Sequence, residues 1–204
     1  MTLFTQLKNR AEIIGAKEVR WNQAGAPRHA FISDSDGSNI FALPGLEIVV
    51  IYPYFDAFHR MQNGLERRDQ NPLPKKGGLP WVDWTGNFQA EEALLWTGNQ
   101  AIHDGPLKII FHPANGKQVR AAGVQLQVAC NGKFTAVMDV YDSANSFHGE
   151  FSCDGVSTDH FDAANPKNNA PFIGVSGSDI RRIELSTKTV CAGGFCINQL
   201  SIDY

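Results

Sequence analysis

The sequence has no hydrophobic run long enough to cross a bilayer. Its longest apolar cluster, residues 48–54, has the length of a strand, whereas a membrane-spanning helix needs about 20 apolar residues. The first fifteen residues lack the apolar core of a signal peptide. We therefore expect neither a transmembrane segment nor a signal peptide in the sequence as it stands.

The chain also lacks a strong excess of charge. Eighteen basic and 21 acidic residues are interspersed among its 204 residues, which gives a formal net charge of -3. Nucleic-acid-binding domains usually concentrate Lys and Arg on one face. We therefore expect no nucleic-acid partner.

Common catalytic motifs are missing as well. The sequence contains no GxSxG, HExxH, P-loop or GxGxxG arrangement. The adjacent carboxylates Glu91 and Glu92 would point to opposite faces of a strand, so they could not flank one substrate. An enzyme is therefore only the third functional hypothesis.

Cysteines are few, and their spacing is not that of a metal site. Cys191 and Cys196 are too far apart for a zinc knuckle and have no nearby histidine, but a disulfide between them would staple a short loop. The other pairing, Cys130 with Cys153, would join the first and third strands of a meander, beyond the bridging limit of about 7 Å unless a strand end bends. Both disulfides are predicted, with free thiols as the alternative.

The clearest structural signal is the apolar alternation within residues 107–142. It predicts two strands, Gly123–Cys130 and Lys133–Tyr141, each with one apolar face. Asn131-Gly132 between them is a typical hairpin dipeptide. We therefore expect an antiparallel hairpin at the centre of an all-β fold.

Similar patterns predict further strands on both sides of this pair. In Ser146–Cys153 we expect Phe147, Phe151 and Cys153 on one face. The remaining predicted strands are Val19–Trp21, His29–Ser33, Ile40–Leu43, Leu46–Phe55, Phe172–Val175, Ile180–Ser186 and Phe195–Tyr204. We take Leu46–Phe55 to be buried on both sides because it is continuously apolar.

The sequence thus predicts one domain, residues 1–204, folded as a two-sheet antiparallel β-sandwich. Residues 3–14 have apolar positions at helical spacing, so residues 1–18 are expected to hold one N-terminal helix and a lead-in. Residues 64–80 are rich in Pro, Gly and basic side chains and are expected to form a mobile loop.

A tryptophan-rich segment follows that loop. Trp81 and Trp84 could form a platform on which sugar rings stack, with Asp83 and Asn87 as partners for sugar hydroxyls. The alternative is that these tryptophans pack in the core, as tryptophans usually do.

An acidic turn offers a second candidate site. Asp34, Asp36 and Asn39 place oxygen-bearing side chains close together around a glycine, like the opening of a calcium loop. The alternative is an ordinary Asx-rich turn, since no glutamate completes the calcium motif.

Three segments together resemble a known family. Residues 81–111, 119–142 and 172–202, which include WVDWTGNF, VRAAGVQLQV and GGFCINQLSI, are similar to bacterial secreted proteins that often end in a PEP-CTERM sorting tail. The resemblance implies export, a place at the cell surface or in an exopolysaccharide matrix, and a jelly-roll-like sandwich similar to carbohydrate-binding modules. The chain departs from the pattern because it ends at Tyr204 without a sorting tail and carries four cysteines.

The resemblance also implies a structural calcium. In many jelly-roll carbohydrate modules an aspartate in the last strand binds this ion, and Asn198 takes the matching position here. An amide oxygen is a weaker calcium ligand than a carboxylate. Calcium is the one cofactor implied.

We therefore expect a non-catalytic, secreted carbohydrate-binding protein. The alternative is a surface or matrix interaction protein without a glycan site, and a glycan-active enzyme comes third. A polysaccharide or other glycan is the expected partner, at the cell surface or outside the cell, with a cytoplasmic location left open. The sequence predicts no particular glycan and no oligomeric state.

Overall fold

The computed structural model describes residues 4–21, 38–51, 64–67, 88, 93–97, 106–114, 116–157, 170–189 and 194–204. These residues form fourteen strands and one 3-10 turn, Arg10–Glu12, without an α-helix. The strands are β1 Thr5–Leu7, β2 Lys17–Val19, β3 Ser38–Leu43, β4 Leu46–Ile51, β5 Gly64–Arg67, β6 Ala93–Trp96, β7 Leu107–Pro113, β8 Ala121–Val128, β9 Gly132–Asp142, β10 Phe147–Ser157, β11 Phe172–Ser176, β12 Ile180–Thr187, β13 Phe195–Ile197 and β14 Leu200–Asp203.

The strands build two antiparallel sheets. One has six strands in the order β10-β9-β12-β7-β4-β3. The other has eight strands. Six of them follow the order β1-β11-β8-β13-β6-β5, and the remaining two are β14, which pairs with β8, and β2, which pairs with β14. The predicted two-sheet β-sandwich is thereby confirmed.

The core lies between the two sheets because each strand directs alternate side chains inward. β8 and β9 contribute eight residues of at most 2% exposure to this one apolar cluster: Ala122, Val124, Leu126, Val128, Phe134, Ala136, Met138 and Val140. Full burial of a large apolar side chain stabilises a fold by about 1.5–3 kcal/mol.

The predicted central hairpin is wrong, although both of its strands exist. β8 belongs to the eight-stranded sheet and β9 to the six-stranded sheet, so Asn131-Gly132 lies in a connection between sheets. β8 ends against the segment that leads into β13, where the Ala129 amide donates to the Gly194 carbonyl over 3.0 Å. Apolar alternation shows which face of a strand is buried, and it is the same whether two strands share a sheet or face each other across the core.

The predicted N-terminal helix is also absent from the described residues. β1 instead pairs with β11, and the 3-10 turn follows it. Leu7 and Ile13 are buried beside Ala121, so packing on the sheet overrides their helical spacing.

Two further expectations need correction. Residues 64–67 form strand β5 rather than part of a loop, while residues 68–80 lie outside the described part of the chain. β4 alternates between buried and more exposed positions, so only one of its faces is in the core.

The described residues contain no helix with the length and hydrophobicity needed to cross a membrane.

Both predicted disulfides are wrong, because Cys153 and Cys196 are thiols. Cys153 lies on β10 in the six-stranded sheet, whereas Cys130 follows β8 in the other sheet. Cys196 on β13 is buried beside Phe88, Leu94 and Ala170. Cys130 is itself disulfide-bonded, and Cys191 lies outside the described residues.

Candidate functional site

A β-bulge near the start of β10 creates the most distinctive surface feature. Phe147 pairs with Tyr141, but the next pair is Gly149 with Val140, so His148 is an extra residue. Gly149 has a φ of 142°, which glycine adopts without strain.

The bulge turns Phe147 away from the core. Phe147 is 57% exposed, whereas Phe151 and Cys153 pack against the core. The expectation that these three residues share one face is therefore wrong. Gly149 inside a strand pattern was the sequence signal that could have revealed the bulge.

Phe147 begins a row of outward-facing residues that crosses all six strands of its sheet. The strand register aligns them as direct neighbours, one per strand. This outer row consists of Phe147, Tyr141, Arg182, Ile110, Val49 and Ile40. Its two end residues, Phe147 and Ile40, are 57% and 58% exposed, and the four between them are partly exposed.

Aromatic and cationic groups are in contact at the β10 end of the outer row. The ring centroids of Tyr141 and Phe147 are 5.5 Å apart, with the planes tilted by 52°. The guanidinium of Arg182 lies 3.9 Å from the Tyr141 ring centroid, a favourable cation–π distance. Arg182 also donates to the side-chain oxygen of Asn145 over 2.7 Å, which fixes its position.

A charged row runs directly beside the outer row. It consists of Glu150, Asp139, Glu184 and Lys108, which are aligned across β10, β9, β12 and β7. Residues two apart on one strand lie about 7 Å apart, so the charged row borders the aromatic rings.

Ion pairs neutralise most of the charged row. Lys188 Nζ is 2.7 Å from Glu150, and Arg182 Nε is 2.9 Å from Glu184, which also lies 3.9 Å from Lys108. These pairs hold the acidic side chains in place beside the rings.

Asp139 is the least satisfied member of the charged row. Burial, and then the negative charges of Glu150 and Glu184, raise the pKa of its carboxyl group. Its Oδ1 atom is buried and has no hydrogen-bond donor among the described residues. The ionised form of the Asp139 carboxyl group is therefore disfavoured at this position.

This arrangement has the chemistry of a sugar-binding surface. Exposed rings can stack on the apolar face of a sugar, and the neighbouring polar groups can bind its hydroxyls. Fixed, mutually paired side chains suit recognition, because little ordering is needed when a ligand binds.

A groove of about 400 Å³ lies beside the edge strands β1 and β10. It is lined by Gln6, Lys8, Ser152, Cys153, Asp154, Pro171 and Phe172. Burial, and then the charge of Asp154, raise the pKa of the Cys153 thiol to about 11. This cysteine is therefore protonated at neutral pH and is a poor nucleophile.

The predicted sugar-binding site in the tryptophan-rich segment is not part of the described structure. Trp81, Asp83, Trp84 and Asn87 lie outside the described residues, so their sugar-binding role stays a prediction.

Two of the four predicted calcium ligands also fall outside the described part of the chain. Asp34 and Asp36 are not described, and Asn39 lies on β3 opposite Val50. The described residues hold no cluster of three or more His, Cys, Asp or Glu suited to a metal ion. Calcium binding at these positions stays a prediction.

Asn198 has a structural role in the connection between β13 and β14. Its side-chain oxygen accepts a hydrogen bond from the Gln125 amide, and its side-chain nitrogen donates to the Gln125 side-chain oxygen, each over 2.7 Å. Its carbonyl accepts a bond from the Trp21 indole over 2.7 Å. Asn198 is fully buried, and its side-chain oxygen, the atom that would bind calcium, already accepts a hydrogen bond.

No protein-family model matches the chain, and no curated protein shows detectable sequence similarity to it. The resemblance to PEP-CTERM-sorted proteins therefore stays a hypothesis.

Proposed function

We propose that this protein is a secreted, non-catalytic carbohydrate-binding protein with a jelly-roll-like β-sandwich. The observation that carries the proposal is the contact of exposed Phe147 with Tyr141, beside a row of fixed carboxylates. The site would act by binding a glycan at the cell surface or in an extracellular matrix.

Aromatic exposure of this kind favours a ligand. A large ring in water loses the stabilisation that burial would provide, and the bulge at His148 directs Phe147 outward although nearby Phe151 is packed against the core. Bulges often re-aim side chains at functional sites. A sugar face would cover the Phe147 ring and leave the polar groups hydrated or bound to hydroxyls.

A surface or matrix interaction protein without a glycan site is the second candidate. The aliphatic half of the outer row, Ile110, Val49 and Ile40, favours it because aliphatic surface also suits a protein partner. A glycan-active enzyme remains the third hypothesis.

A polysaccharide array tests the proposal directly. The parent protein should bind at least one glycan, and Phe147→Ala and Tyr141→Ala should each weaken that binding by about 1–3 kcal/mol, or about 5- to 150-fold. Ile14→Ala is the matched control, because Ile14 is 87% exposed but is not part of the outer row. Each variant should keep the parent's circular dichroism spectrum.

The array should be run with calcium and with a chelator, and with Trp81→Ala and Trp84→Ala in parallel. Absence of binding by the parent contradicts a glycan-binding function and favours the interaction protein. Binding that is lost only in the tryptophan variants moves the site away from the outer row.

A further inference from the structure

The outer row is continuous across all six strands of its sheet. A compact ligand would cover only part of this length. We propose that it is a track for a neutral, linear glycan that lies across the strands and contacts the protein through about five sugar units. This inference rests on the proposed carbohydrate-binding function and specifies the class of glycan.

The length of the track follows from the strand register. Six aligned residues are separated by five strand spacings of about 4.8 Å, so the row is about 24 Å long. One sugar unit of an extended chain is about as long as one strand spacing. A glycan lying across the sheet would therefore place successive sugars over successive strands.

The side chains along the track differ in how they would hold a sugar. Phe147 and Tyr141 offer rings for stacking at one end. Val49 and Ile40 offer smaller aliphatic surfaces at the other. The ring end should therefore dominate affinity, and the aliphatic end should add to it only when the chain is long enough to arrive there.

The charges beside the track favour an uncharged ligand. The three carboxylates of the charged row are matched by three cationic side chains in contact with them or close by: Lys188, Lys108 and Arg182. Within the charged row, no net positive charge is left to attract an acidic polymer. Asp139 already lies between two like charges, so a uronic acid placed above it would add to the repulsion.

Calorimetric titration of a length series tests this inference. The probes are cello-, xylo- and manno-oligosaccharides of one to six units, with oligogalacturonides of the same lengths as the acidic comparison. Affinity should rise with length up to about five units in at least one neutral series, and the acidic series should bind at least about tenfold more weakly.

Two isoleucine variants locate the far end of the track. Ile40→Ser should weaken binding of the five- and six-unit oligosaccharides by about three- to tenfold and leave the two-unit affinity unchanged. Ile14→Ser is the matched control and should bind every length like the parent. Both residues are exposed, so both variants should fold.

The possible failures are distinct. Full affinity at one or two units, equal binding of oligogalacturonides, or an Ile40→Ser variant that behaves like Ile14→Ser would overturn the track while leaving glycan binding intact. Absence of binding in every series would contradict the proposed function itself.

Discussion

Replacing Asn198 by Ala should remove two part-buried hydrogen bonds in the connection between β13 and β14. In this connection, residues 198–200 lie opposite only two residues of β8, 124 and 125, so the regular backbone pairing is interrupted. The Asn198 side chain makes hydrogen bonds to Gln125 at this interruption. The substitution leaves the backbone amide and the side-chain oxygen of Gln125 without partners.

The cost can be worked out from these two groups. An unsatisfied buried polar group costs about 1–3 kcal/mol, and Gln125 is only part-buried, so we expect a loss of about 2–4 kcal/mol. For a chain of this size, that lowers the melting temperature by about 5–15 °C. Thermal unfolding followed by circular dichroism measures it.

Asn198→Asp separates the structural role from calcium binding. Aspartate keeps the acceptor for the Gln125 amide but loses the donor, and its charge would face the Gln125 side-chain oxygen in a fully buried site. We expect lower stability at neutral pH, with partial recovery in acid, because a protonated aspartate can donate. Exposed Asn131→Asp is the control and should melt close to the parent.

The calcium hypothesis predicts the opposite result. If position 198 binds calcium, a carboxylate there should bind it more tightly, and calcium should raise the melting temperature of Asn198→Asp above that of the parent. That outcome, or an Asn198→Ala variant as stable as the parent, would refute the structural role argued from the Gln125 contacts.

Three further predictions concern stability and thiols. Asp139→Asn should stabilise the fold by about 0.2–1 kcal/mol at pH 7 by relieving like-charge repulsion across the strands. Because the folded pKa is raised, this gain should shrink as pH falls through it and vanish below about pH 4. Gly123→Ala should destabilise by about 1–3 kcal/mol, since its Cβ would lie 2.3 Å from the Phe172 ring. Thiol titration in denaturant without reductant should find fewer than four thiols, including Cys153 and Cys196.

Each of these has a clear contrary result. A less stable Asp139→Asn at pH 7 would mean that the carboxylate makes a favourable contact. A Gly123→Ala variant that melts with the parent would mean that the Phe172 ring can move aside. Four thiols in the titration would mean that Cys130 is reduced in the purified protein.

Local sequence pattern was sufficient to predict most of the strands. Alternation identified the inward faces of β8, β9 and β12, because a strand exposes successive side chains to opposite sides whatever its partners are. It also indicated an all-β sandwich, since so many half-buried strands can bury their apolar faces only between two sheets.

Strand partners were not predictable in the same way. β8 and β9 bury the same kind of face toward one core from opposite sheets, so the Asn131-Gly132 turn was compatible with a hairpin and with a connection between sheets. The pairing of β8 with β11, β13 and β14 depends on residues about 45 to 80 positions away. Such long-range pairings cannot be recognised from a short stretch of sequence.

The candidate site depends most on tertiary structure. One extra residue at His148 reverses the side on which Phe147 lies, and the register of five strand pairs then aligns it with Tyr141, Arg182 and Ile40. The sequence by itself determined that alternate positions of strands such as β8 and β9 face the core, but it placed Phe147 on the wrong face. Only the long-range register decided which of them became neighbours, because hydrogen bonding between strands, and not spacing along the chain, brings them together.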